Sequence, residues 1–172
     1  IGEAGSLDVT VGRIARRAGV SPALAFHYFG DKEQLFLAAM RHILSIYGQE
    51  VRAALRVARG HRDRLEAVVS ASFSTASFEP GVIAAWLNFY VLAQRSPEAA
   101  RLLAIYQRRL HANLVHDLRP LVGAGAETVA RSLGALIDGL YLRSVHWVTK
   151  ETRASAAALV RAALDRVLAE AS

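Results

Sequence analysis

Apolar residues recur along this chain at spacings of three and four, the period of helices that bury one side. Val11, Ile14, Ala15 and Ala18 fall at i, i+3, i+4 and i+7, with Arg13, Arg16 and Arg17 on the opposite side. Gly19 follows where the chain must reverse, because glycine accepts the left-handed conformation that closes a helix. Val20 is then placed to pack back on that helix. Ser21 is a good N-cap and Pro22 a good first helical residue, so a second short helix starts at once and ends near Phe29 and Gly30. Asp31, with Gln34 three residues on, opens a third helix as a variant capping box. Its stripe of Phe36, Met40, Ile43, Tyr47, Val51, Ala54 and Ala58 predicts a connecting helix from Lys32 to about Ala58.

Beyond it, helices are expected at about Arg62–Ser77, Pro80–Gln94, Pro97–Leu118, Ala126–Trp147 and Thr152–Ala169. Pro22, Pro80, Pro97 and Pro120 all read as element edges, and Gly123-Ala124-Gly125 as a break. No segment alternates as a strand would, so the fold class is all-α. The last helix carries Ala156, Leu159, Val160, Ala163, Leu164, Val167 and Leu168 on one broad face, whose small residues allow close helix approach.

Composition narrows the class. The 172 residues suffice for one or two domains with a real core. Cysteine is absent, which excludes a disulfide scaffold and thiolate metal sites and fits a reducing cytoplasm. The most apolar run, Leu133 to Leu142, is short and broken by Asp138, so a soluble cytoplasmic protein without a membrane span is expected. Net charge is +6, yet residues 1–41 hold five basic and four acidic side chains. Any polyanion contact therefore rests on the local row of Arg13, Arg16, Arg17 and Lys32, not on global charge.

Two short helices around a glycine turn outline a DNA-reading helix-turn-helix. Thr10, Ile14, Ala15, Ala18 to Ser21, Phe29, Lys32 and Leu35 follow the pattern T-x-x-x-I-A-x-x-A-G-V-S-x-x-x-x-x-x-x-F-x-x-K-x-x-L, and the chain resembles the TetR family of repressors. The resemblance implies a DNA-binding domain over residues 1–44 and an effector-binding, dimerisation domain over residues 45–172. Ile1–Asp8 reads as the tail of a first helix and a loop, so the family's first helix and any basic arm would lie mostly before Ile1. If the second short helix enters the major groove, Pro22, Ala23, Leu24, Phe26 and His27 face bases. Thymine methyls suit the apolar ones and His27 offers a hydrogen bond. Thr10, Arg13, Arg17, Ser21, Tyr28 and Lys32 are expected on phosphate. Many members carry tyrosine where Phe26 stands, so one phosphate-binding hydroxyl is absent here. A single short helix reads too few base pairs for tight binding, so a homodimer on a double-stranded operator is expected, joined through the last two helices.

The larger domain collects polar-tipped aromatics. Trp86, Phe89 and Tyr90 share one helix face, Tyr106, Arg109 and Asn113 another, and Asp138 and Tyr141 a third. A carboxylate inside Leu136-Ile137-Asp138-Gly139-Leu140 is drawn inward, where it needs a cation, either Arg109 or a ligand. Aromatics at helical spacing are also ordinary core. The segments AWLNFY at 85–90, RRLHANLVHDLR at 108–119 and ALIDGLYLR at 135–143 resemble choline-responsive BetI-type members of the TetR family, whereas Val145-His146-Trp147 departs from their pattern. That resemblance implies a small quaternary-ammonium effector, held by aromatic faces and negative charge. The alternatives are a different small apolar effector, or a helical ligand-binding module that does not bind DNA. Catalysis is not expected: no H-E-x-x-H, G-x-S-x-G or phosphate-loop pattern occurs, and His111 and His116, five apart, do not share a face. No cofactor or metal is implied.

Overall fold

Side-chain caps set the start of five helices. Thr10, Ser21, Asp31, Ser96 and Thr149 each accept a backbone N–H from the first turn that follows them. The structure, a computed structural model, describes residues 9–144 and 149–171; the expectations for Ile1–Asp8 and for Val145, His146 and Trp147 lie outside them. The helices are α1 (Val11–Arg17), α2 (Pro22–Phe29), α3 (Lys32–Val57), α4 (Gly60–Ser72), α5 (Pro80–Ala93), α6 (Pro97–Val122), α7 (Ala126–Arg143) and α8 (Lys150–Glu170). A 3-10 turn, Gly123–Gly125, joins α6 to α7. The described residues are all-α, as the periodicity implies.

Two cores meet along α3. A small one holds Val11, Ala15 and Ala25 with Leu35 against it. The large one begins one residue later, with Phe36, Leu37 and Met40, and continues through α4 to α8. At its centre lies α6, packed on α4, α5 and α7, while α8 lies on α7 and α4. Arg161 fastens α8 to Glu66 at 2.8 Å and Ser70 at 2.9 Å. No helix among the described residues is long and apolar enough to cross a membrane.

Several boundaries differ from expectation. Helix α4 stops at Ser72, five residues early, because Glu50 accepts hydrogen bonds from Ser74 (2.7 Å) and Ser77 (3.3 Å). The Ser77 N–H in turn bonds Ser74 Oγ at 3.1 Å, a local side-chain contact that competes with a continued backbone ladder. Helix α6 runs through Pro120 to Val122, so this proline is not at the helix edge. The ring removes one N–H from a last turn that Gly123, at φ +58°, closes on the Arg119 carbonyl. Helix α7 ends at Arg143, where Ser144 turns its Oγ onto the Leu140 carbonyl. Val20 turns back to donate its N–H to the Ala15 carbonyl, with its side chain 40% exposed.

Candidate nucleic-acid interface and ligand cavity

Helices α1 and α2 form a tight unit. Gly19, at φ +70°, lets the chain turn so that α2 begins at Pro22, capped by Ser21. Every residue of α2 except Ala25 is exposed, and Leu24, Phe26 and Tyr28 stand 45%, 51% and 74% open. Such apolar exposure on a capped, well-anchored helix marks a contact surface. Pro22, Ala23, Leu24, Phe26 and His27 are therefore all available from α2. Thr10, Arg13, Arg17, Ser21, Tyr28 and Lys32 are exposed around it. Thr10 and Ser21 also spend their side-chain oxygens as caps, at 3.2 Å and 3.1 Å. His27 meets Tyr28 edge to face.

The start of α3 is tied to the start of α6. Ser96 Oγ donates to Glu33 at 2.6 Å, and Glu98 accepts from Gln34 at 2.8 Å and from Arg41. The Gln34 amide, followed by Arg41, holds the Glu98 carboxyl below its ordinary range. These contacts join the start of α6 to the first turns of α3, next to Lys32.

The second site lies between α3, α4, α5, α6 and α7. Trp86, Tyr90, Tyr106, Asp138 and Tyr141 line one cavity, as the helix faces suggest. Trp86 packs on Tyr106 with ring centroids 4.6 Å apart. Phe89 does not line the cavity; it is fully buried against Phe36 and Trp86. Arg109 and Asn113 are also elsewhere, in a separate cleft between α3 and α6. Tyr47, which the helical pattern places only on a core stripe, completes the cage. Its ring meets Tyr106 edge to face at 6.0 Å and its hydroxyl lies 3.2 Å from Ser72 Oγ.

The cavity's electrostatics follow from burial. Desolvation pushes the Tyr47 hydroxyl up to about 12, opposed by its bond to Ser72. Burial also raises Tyr90, Tyr106 and Tyr141, so all four phenols stay neutral. The Tyr141 hydroxyl is spent on the Ser72 carbonyl. Burial raises the Asp138 carboxyl above its ordinary value, against the opposing Tyr90 and Tyr106 hydroxyls. Tyr106 donates to Asp138 at 3.4 Å, while Tyr90 faces Asp138 and Gln107 without completing a bond of good geometry. No cation pairs with Asp138 among the described residues, so of the two partners considered, Arg109 or a ligand, Arg109 is not paired with it. The buried ion pair sits elsewhere: Asp117, fully enclosed, accepts from Arg64 at 2.8 Å and lies 3.0 Å from His61 Nδ1. With room for only about 20 Å³, the cavity holds roughly one water.

Residues 1–39 match the family described as bacterial regulatory proteins of the tetR family, and residues 61–169 match the BetI-type transcriptional repressor, C-terminal domain. The chain belongs to the TetR family and carries a BetI-type C-terminal domain. The HTH-type transcriptional regulator BetI of Brucella suis biovar 1 (strain 1330) is 52% identical over 161 residues, covering 93% of this chain and 81% of that protein. Among solved structures, a putative transcriptional regulator from Pseudomonas aeruginosa PAO1 superposes with a TM-score of 0.75 at 29% identity, over 97% of this chain and 84% of that one. A putative regulator from Saccharomonospora viridis, crystallised in complex with choline, shares the fold with a TM-score of 0.80 at 20% identity, over 92% and 85% of the chains. This BetI-type regulator therefore carries a TetR DNA-binding domain in α1, α2 and the start of α3.

Proposed function

We propose that this protein is a homodimeric repressor whose α2 reads operator DNA and whose inner cavity binds choline or a similar small quaternary-ammonium compound. The observation that carries the effector is the pairing of an aromatic cage with a half-buried carboxylate that has no cationic partner among the described residues. A quaternary ammonium has no N–H to donate, so ring faces and a negative charge are the groups that can hold it. The choline bound to the Saccharomonospora viridis regulator, a neighbour in fold, supports the same ligand class.

At the DNA, Pro22, Ala23, Leu24, Phe26 and His27 meet base edges, and Thr10, Arg13, Arg17, Ser21, Tyr28 and Lys32 hold phosphates. Readout is mostly apolar, so affinity leans on phosphate contacts and falls steeply with salt. The dimer uses α7 and the outward face of α8, where Leu159 stands exposed along the helix from Ser155, Ala158 and Ala162. Small residues there admit a second copy at close range.

Regulation follows from the cavity's size. A ligand cannot enter without moving walls, and two of them, Ile43 and Tyr47, belong to α3, which carries Lys32 at its start. Effector binding selects a state with α3 displaced, and the two reading heads change separation. A gel-shift against the chain's own upstream region, titrated with choline and with its uncharged carbon isostere, tests this. Choline is expected to release DNA and the isostere to fail; equal release by both, or a chain that never shifts the DNA, overturns the reading.

A further inference from the structure

Beyond the Tyr47 and Tyr106 rings lies a second, larger space. Helices α3 and α6 pack on α4 and α5 more than on each other, and a cleft of about 700 Å³ runs between them. That is the size range of small-molecule sites. Leu44, Val51 and Leu55 of α3 face Leu102, Ile105 and Leu110 of α6, giving an apolar floor. Among the described residues its charged groups are all of one sign: Arg41, Arg52 and Arg109 line it, and no carboxylate does. Arg41 is engaged by Glu98, whereas Arg52 and Arg109 have no acidic partner among the described residues. The Arg52 guanidinium lies over Gly48, so closely that a Cβ there would sit 3.2 Å from Nη1. With no Cβ at Gly48, the guanidinium rests against the helix backbone side of the cleft without having to shift.

We propose that this cleft is a second ligand site, specific for a carboxylate with a medium-length apolar body. The carboxylate is held by Arg52 and Arg109, whose forked donors match its two oxygens, and the chain lies along the leucine floor. The inner cavity is built for a cation and this cleft for an anion, so the two take different molecules. They nevertheless share a wall, because Tyr47 and Tyr106 line both. Filling one site alters the wall of the other, and any change in affinity is reciprocal.

Calorimetric titration of the full chain at low salt with octanoate, octan-1-ol and inorganic phosphate tests the assignment. Octanoate is expected to saturate one site per chain and to bind at least about tenfold more tightly than either comparator, a difference of the size expected when a charge-assisted contact is added. The Arg52→Gln/Arg109→Gln double variant should weaken octanoate about tenfold or more, while Arg59→Gln/Arg95→Gln, which removes the same two charges outside the cleft, leaves it within about twofold. Restoring charge with Arg52→Lys/Arg109→Lys should recover part of the loss. Equal binding of octanoate and octan-1-ol, competition by phosphate at equal strength, or an undiminished affinity in the double glutamine variant overturns the proposal. The outcome is independent of choline: failure of choline to bind leaves the octanoate result standing, and the reverse.

Discussion

Asp138 is a carboxylate the fold makes costly to ionise. Burial lifts its pKa, and the Tyr106 hydroxyl at 3.4 Å offsets only part of that cost. A group whose folded pKa lies above its unfolded one stabilises the protein below the unfolded value, near 4, and loses that contribution as pH rises through the folded value. Asp138→Asn is therefore expected to melt higher than the parent at neutral pH, with the difference closing as pH falls toward about 4. A choline cation bound as proposed would reverse the sign locally, since it favours the ionised form. Choline affinity should climb with pH through the same window in the parent and stay flat in Asp138→Asn. Melting curves and calorimetry between pH 4 and 8 read both effects; a variant that melts lower at neutral pH would show that the charge is satisfied in the apo protein. Sequence could place Trp86, Tyr90, Tyr106, Asp138 and Tyr141 on helix faces that converge, but not decide which carboxylate had a partner. Arg64 and Asp117 are 53 positions apart and meet only through the packing of α4 on α6.

At the scale of elements, the sharpest local constraint is the link between α2 and α3. Gly30 has φ +76° and ψ −70°, and the Asp31 N–H bonds the Phe29 carbonyl at 2.9 Å across it. That is a γ-turn, a conformation rare and strained for any residue with a Cβ. Nothing lies within 4 Å of a Cβ built there, so the cost of Gly30→Ala is conformational, not steric crowding by neighbours. A destabilisation of about 1–3 kcal/mol is expected. Denaturant unfolding should show it, and DNA affinity should fall further because the angle of α2 to α3 is what the turn sets. Unchanged stability would mean that the chain re-forms the link in another way. Helix existence and most starting points were legible in the sequence, since caps and prolines act within three residues of themselves. The ends were less so. Glu50 stops α4 from 24 positions away, and α6 survives Pro120 because its neighbours bury Leu114 and Leu118. Neither effect has a local signature.

For the whole molecule, the packing that turns one face of α8 inward leaves a second face outward. Ala156, Val160 and Leu164 enter the core, while Leu159, expected on that same apolar side, stands 55% exposed with Leu142 of α7 also open. The helical period could place Leu159 at the edge of the apolar stripe but not say which of two surfaces it would face. In the proposed dimer a second copy would cover this face, and that pairing would set how DNA is read. One α2 contributes few base contacts, whereas two heads joined rigidly bind the second half-site at high effective concentration. Leu159→Asp puts a charge into the centre of that face and leaves the subunit's own core untouched. Sedimentation should show monomers with helical content and melting close to the parent's at equal concentration, and a two-half-site operator should bind about a hundredfold or more weakly. A single half-site should bind almost as before, because α1 and α2 are folded on their own small core of Val11, Ala15 and Ala25. Persistent dimers would move the interface off α7 and α8, and monomers that retain full operator affinity would remove the need for paired heads altogether.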